Sequence, residues 1–217
     1  MSYYNSTVGF FQDGGIFMYP ILIVFALGVA IAIERWIYLT RATITSKSLW
    51  QEVTPYIRAG KFNEAVSLTN KSKAAIATVL GYGLKRSTSA ARRDDIEKAM
   101  EESLMEVMPR LEKRTHYLAT FANIATLLGL LGTIIGLIEA FTAVSTANPA
   151  EKADMLSASI SVAMNTTAFG LIVAIPLLLV HTVLQTKTTE LIDSLEMASV
   201  KFLNTVFERR SEEGKLA

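Results

Sequence analysis

Apolar positions along this chain follow two different rules. Residues 14–33, 118–138 and 156–180 contain no acidic or basic side chain, and each covers the roughly 20 positions needed to cross a hydrocarbon core of about 30 Å. Elsewhere the apolar residues return at steps of three and four. Ile96, Met100, Leu104, Val107 and Leu111 draw one stripe on a helix that starts near Arg92. Leu184, Leu191, Leu195, Ala198, Phe202 and Val206 draw another, with Glu190, Asp193, Glu196 and Lys201 on the remaining faces. The first pattern predicts membrane spans and the second predicts a water-exposed bundle. Together they specify an all-α integral membrane protein with three transmembrane helices, whose long helices extend into a cytoplasmic helical bundle.

The expected layout is a short external N-terminus at 1–13, transmembrane helix 1 at 14–33 and a cytoplasmic helical domain at 34–116. Transmembrane helix 2 follows at 117–139, an outer hairpin at 140–154, transmembrane helix 3 at 155–182 and a cytoplasmic helical tail at 183–217. Within the cytoplasmic domain, breaks are expected at Gly60, at 70–73 and at Ser87-Thr88-Ser89, with Pro109 bending the helix that leads into the second span. The charged end of the tail, from Arg209, is expected to fray.

Charge adds orientation. There are 21 Lys and Arg against 20 Asp and Glu, a net charge of +1, so nothing in the bulk balance calls for nucleic acid or an acidic partner. The basic residues are unevenly placed. Arg35, Arg41 and Lys47 follow the first span, Arg110, Lys113 and Arg114 precede the second, and Lys187 and Lys201 follow the third. Residues 1–13 hold none, and the connection between the last two spans holds only Lys152. The positive-inside rule therefore gives an N-out, C-in topology, with residues 34–116 and 183–217 in the cytoplasm. With no basic residue ahead of it, the first apolar stretch reads as a retained span rather than a signal peptide. Glu34-Arg35-Trp36 and Tyr38 form the collar expected where a helix leaves the bilayer. The chain has no cysteine, which excludes disulfides and thiolate chemistry.

Enzyme chemistry finds no support. His116 and His181 lie near expected membrane edges without partners at metal-ligand spacing. Gly129-x-x-Gly132-x-x-x-Gly136 follows no strand, so a nucleotide reading fails on context. No cofactor is implied. Those glycines belong to a stripe of small residues, Ala125, Gly129, Gly132, Gly136 and Ala140, matched on the third span by Ala163, Thr167, Gly170 and Ala174. Such faces let helix backbones approach closely in lipid. Gly129, Gly132, Gly136 and Gly170, with Pro176, are the expected helix-packing residues.

Thr133, Asn165 and Thr167 are the candidate ion-pathway residues. A threonine hydroxyl in a membrane helix can simply bond back to a carbonyl of its own helix. Against that reading stands the company of Asn165, whose amide a single helix cannot easily satisfy in lipid, and of Thr166, Ser161, Ser159 and Ser157 in the same half of the span. A polar path facing a pore or a partner accounts for them together, and Thr126 lies two turns before Thr133. No Asp, Glu, Lys or Arg stands in mid-membrane, so a titrating carboxylate has to come from another chain. Glu139, near the outer end of the second span, either attracts cations or sits in water.

The segments LATFANIATLLGLLGTIIGLIEAF at 118–141 and ISVAMNTTAFGLIVAIP at 160–176, with the three-span layout, resemble the MotA/TolQ/ExbB family, and most of all its three-span ExbB/TolQ branch. The likeness covers nearly the whole chain. It implies a homopentamer in the bacterial inner membrane, which would make the outer side, with the N-terminus, the periplasm, and the second and third spans lining a central pore. An ExbD/TolR-like single-span partner would supply an aspartate facing Thr133 and Thr167, and ion flow would pass force to a TonB- or TolA-like protein. The chain departs from the pattern at Val162, where many members carry a glutamate. The neutral hydroxyls and amide of Thr133, Asn165 and Thr167 could also hold a transient Na⁺ beside a partner aspartate, although protons are commoner in the family. Two alternatives stay open: a non-conducting oligomeric scaffold assembled through the small-residue stripes, and a flagellar-type stator relative, a class that usually has four spans.

Overall fold

A computed structural model describes residues 14–89, 92–146 and 148–216. The expected external segment 1–13 lies outside the described residues. Six helices account for nearly all of the rest: α1 (Met18–Ala59), α2 (Phe62–Lys71), α3 (Ala75–Ser89), α4 (Arg93–Glu112), α5 (Thr115–Thr146) and α6 (Lys152–Leu216). No strand occurs among the described residues. Three helical stretches, one in α1, one in α5 and one in α6, are long and apolar enough to cross a membrane.

The helix ends follow local chemistry. Gly60 adopts φ +72°, and its N–H donates to Ile57 O at 3.0 Å while Lys61 N–H donates to Tyr56 O at 2.9 Å. This paired closure of the last carbonyls needs a left-handed residue, which glycine supplies without strain. The expected break at 70–73 falls where α2 ends and Ser72 turns extended. The Ser87-Thr88-Ser89 cluster, by contrast, does not break α3. Ser87 and Thr88 donate to Leu84 O and Lys85 O at 2.8 and 2.7 Å, so their hydroxyls stay within the helix and it runs on to Ser89. Pro109 does not produce a bend into the next span either. α4 stops at Glu112, Arg114 takes φ 67°, and α5 starts afresh at Thr115. The connection between the second and third spans is shorter than the expected 140–154 hairpin, since α5 continues to Thr146 and α6 begins at Lys152.

The chain divides into two compact units. The first comprises the described residues of 14–34 and 114–183. Its interior is built from small side chains: Ala122, Ala125, Gly129, Gly132 and Ala140 on α5, and Ala163, Gly170 and Ala174 on α6, are buried. At Gly170 the approach is closest, for a Cβ there would lie 2.7 Å from Ala125 O and 3.1 Å from Gly129 Cα. The two small-residue stripes thus face each other within one chain. The α1 segment joins through Met18 and Ile21, both fully buried, and through Gly28, where a Cβ would meet the Leu177 side chain at 2.8 Å. Arg114 and Glu34 form an exposed ion pair at 3.1 Å, a contact of modest value. Outward lie Ile23, Leu27, Leu127, Ile172 and Leu179. The most apolar windows of the three spans are only 17%, 22% and 28% buried by the chain, so lipid or other subunits must cover the rest.

The second unit comprises 35–113 and the described residues from 184. Here both amphipathic stripes close into one core. Ile96, Met100 and Val107 of α4 meet Leu191, Leu195 and Phe202 of α6, with Val53 of α1 and Leu80 of α3. Gly83 lets α3 in close, since a Cβ would lie 2.7 Å from Met100 Sδ and 2.9 Å from the Phe202 ring. Arg35, part of the collar expected after the first span, is buried at 3% exposure. Its guanidinium donates to Leu111 O, one of the carbonyls left open at the end of α4, where a cation also suits the helix dipole. Lys187 Nζ sits 3.6 Å above the Trp36 ring and 3.5 Å from Thr40 Oγ1. The tail does not fray at Arg209: Arg209 donates to Arg58 O at 3.2 Å and Arg210 to Ser87 O at 2.5 Å, and α6 stays helical to Leu216.

Two substitutions test these cores. Phe202→Ala should cost about 3–5 kcal/mol, read as a lowered midpoint for loss of helicity in detergent-solubilised protein; an unchanged midpoint would contradict the central place of this ring. Gly170→Leu should drive α5 and α6 apart, so that the protein no longer accumulates as a monodisperse species on size-exclusion chromatography, whereas Leu171→Ala, on an exposed position, should be tolerated.

Candidate functional site

The packing of the stripes decides where the threonines go. Because Gly129 has no side chain, Thr167 comes near enough that a Cβ on Gly129 would lie 3.2 Å from Thr167 Cα. Thr167 Oγ1 then donates to Gly129 O at 2.8 Å, and Thr133 Oγ1 donates to Leu130 O at 2.6 Å. The two hydroxyl oxygens stand 3.4 Å apart. Each hydroxyl carries one proton, and both protons are engaged by carbonyls. What the pair presents to a visitor is therefore lone-pair density from two oxygens and no free donor. Such a site accepts a proton-bearing group or a cation, and a bare carboxylate finds no donor there unless a hydroxyl turns away from its carbonyl.

Asn165 is not brought to this pair. On a regular helix it lies about 160° around the axis from Thr167, and it is half-buried on that other side. Its amide has no hydrogen-bond partner within the described chain. Pro176 is exposed and takes no part in the contact between α5 and α6, unlike Gly129, Gly132, Gly136 and Gly170. Among the described residues no three His, Asp or Glu side chains gather as a metal site. Glu139 is exposed near the end of α5, and Val162 packs 3.2 Å from the Cβ position of Gly15, by the turn that precedes α1.

Thr166 is the residue that sequence reasoning undervalued. It is buried to 2% exposure, its hydroxyl lies 2.6 Å from Gly14 O and 2.9 Å from Val162 O, and its methyl occupies the space a side chain on Gly132 would need. It therefore ties the turn before α1 to the α5/α6 pair. The signal was available: Ala163, Thr166, Gly170 and Val173 recur at steps of three, four and three, a stripe as regular as the one drawn through Thr167.

Comparison with known proteins agrees with the geometry. Residues 71–197, more than half of the chain, match the model of the MotA/TolQ/ExbB proton channel family. The chain is similar to a protein of Methanothermobacter thermautotrophicus named as a biopolymer transport ExbB homolog, with 26% identity over 91% of this chain and 69% of the relative. It is also similar to the biopolymer transport protein ExbB of Aquifex aeolicus, 31% identical over 51% of this chain and 72% of the relative. The Tol-Pal system protein TolQ of Haemophilus influenzae is 36% identical over 39% of this chain and 36% of its own length. An all-helical multi-pass chain, close-packed small-residue spans and the family match converge: this protein belongs to the MotA/TolQ/ExbB proton channel family, a family of membrane channels and not of enzymes.

Proposed function

We propose that this chain is the channel-forming stator subunit of an ion-driven motor in the inner membrane. Five copies surround a pore lined by the α5 and α6 spans. An ExbD/TolR-like single-span partner enters that pore and supplies a carboxyl group, and the captured energy is passed to a TonB- or Tol-type envelope system. The observation that carries the reading is the pair of hydroxyl oxygens of Thr133 and Thr167, 3.4 Å apart and both already donating to carbonyls.

The chemistry follows from that pair. A partner aspartic acid that has picked up a proton can donate it to either oxygen and dock as a neutral group at low cost in an apolar span. The same side chain, ionised, meets two acceptors and is repelled until water or a turned hydroxyl relieves it. Docking thus depends on the proton, which is what a motor needs in order to convert ion passage into movement. One charge crossing about 100 mV releases roughly 2.3 kcal/mol. Sodium fits less well. A hard cation seeks about six oxygen ligands, and with Asn165 turned to another side of α6 the chain offers two hydroxyls at this place. Protons are the ion proposed here.

The packing favours the motor reading over the scaffold alternative. That alternative needed the small-residue stripes to bind neighbouring subunits, and those stripes are engaged with each other inside the chain.

Thr167→Val keeps the side-chain shape and the close backbone packing while removing both the outward acceptor and the bond to Gly129 O. Reconstituted with its partner, the variant complex should assemble normally while driven proton flux falls about tenfold to a hundredfold, the rate equivalent of about 1.4–2.8 kcal/mol. Full flux in an assembled Thr167→Val complex would reject the assignment. Thr133→Val should show a similar loss. The wild-type complex should respond to a proton gradient and stay indifferent to a sodium gradient imposed at constant pH.

A further inference from the structure

Asn123 has no role in the account so far, although it is an amide inside an apolar span. It is exposed on α5 and finds no hydrogen-bond partner within the described chain. An amide left dry in hydrocarbon is costly, so its position has to bring it water or another chain. Its neighbours along the helix indicate which.

His116, Asn123, Thr126 and Thr133 are separated by seven, three and seven residues, the spacing of a heptad seam, and on a regular helix they fall within an arc of about 100°. The seam starts beside the buried small-residue face, at Thr133, and moves outward as it descends. At a rise of about 1.5 Å per residue, Asn123 lies roughly 15 Å and His116 roughly 26 Å from Thr133 toward the N-terminal end of α5. Thr126, Asn123 and His116 are all exposed in the isolated chain. The Thr126 hydroxyl donates to Ala122 O at 3.1 Å, so like Thr133 it shows an acceptor outward. Asn123 adds what the threonines lack, an N–H donor beside an acceptor, and His116 ends the line with an exposed polar ring.

We propose that this seam is the proton release route, with Asn123 as the residue that keeps it wet between the threonine pair and the end of α5. It rests on the proton-carrying role proposed for Thr133 and Thr167. A proton leaving the partner's carboxyl group passes to water held between Thr126 and Asn123, leaving a carboxylate behind. It then follows the seam past His116, at the start of α5, to bulk water. The spacing suits a helical partner, because a heptad seam stays against a neighbouring helix along its whole length at the usual left-handed crossing.

The absence of cysteine makes a clean test possible. In the complex with its partner, Asn123→Cys and Thr126→Cys should react with a charged, membrane-impermeant thiol reagent at least about tenfold faster than Ile124→Cys, which lies on another side of the helix. Asn123→Leu should assemble yet lose about tenfold or more in driven proton flux, and Asn123→Gln should restore most of it. An unreactive cysteine at 123, or full flux in Asn123→Leu, would overturn the proposal. If Asn123→Leu prevents assembly, the cysteine labelling alone decides. Failure here stays separate from failure of the motor reading: an inactive Thr167→Val complex beside a fully active Asn123→Leu complex rejects only the release route.

Discussion

Everything in the membrane-spanning unit depends on how closely α5 and α6 approach at Gly129 and Gly170. A Cβ on Gly170 would lie 2.7 Å from a carbonyl oxygen of the opposite helix, so no other residue fits without moving a backbone. This contact cannot be explained by hydrophobic drive, because lipid tails are as apolar as the side chains they would replace. It is held by dispersion between backbones and by the interhelical hydrogen bond from Thr167 to Gly129 O. The same bond removes the Thr167 proton from circulation. Packing and chemistry are thus one event: the approach that lets the helices adhere also fixes the polarity of the site.

The two units solve the burial problem with opposite means. In the unit of 35–113 and the later residues of α6, large side chains such as Phe202 and Met100 fill a core of ordinary protein kind, and exposed faces carry charge. In the spanning unit small residues dominate the contact between α5 and α6, where alanine, glycine and threonine lie inside, while many of the leucines and isoleucines face out. An arrangement of this sort is what lipid demands, since outward leucine costs nothing there and inward glycine allows contact. Arg35 shows how sharply the two regimes can adjoin. It follows the last residue of the spanning stretch closely in sequence, yet it is buried as the C-terminal partner of α4.

Much of this was legible from residue order. The charge-free stretches, the amphipathic stripes of α4 and α6, and the stop at Gly60 rest on period and on backbone sterics, both of which are local. Thr167 stands on the small-residue stripe of α6, whereas its pairing with Thr133 was expected from the resemblance to the family and not from period. What escaped were features set by rotation about a helix axis or by a contact distant in sequence. Asn165 and Thr167 are near neighbours in the chain and look like one polar cluster, but a helix sends them to different sides. Thr166 looked like a lesser member of that cluster, and only the fold brings Gly14 O within reach of its hydroxyl. That Arg35 would be buried against the end of α4 was likewise not readable from its place after the first span. Ser87, Thr88 and Ser89 have turn-forming composition, but their hydroxyls can also fold back on the helix, and composition alone does not choose between these.

One consequence of the site's polarity reaches beyond the chain. Between its first and last charged flanks each span is electrically neutral, and at mid-span the hydroxyl protons are already engaged. Such a channel wall has little attraction for an ion in bulk water and cannot leak a proton by titrating its own side chains, because at that depth it has none to titrate. On the proposed reading, conduction is conditional on a second chain bringing the ionisable group. The valine at 162 packs against the turn before α1 and adds no ionisable group at that depth.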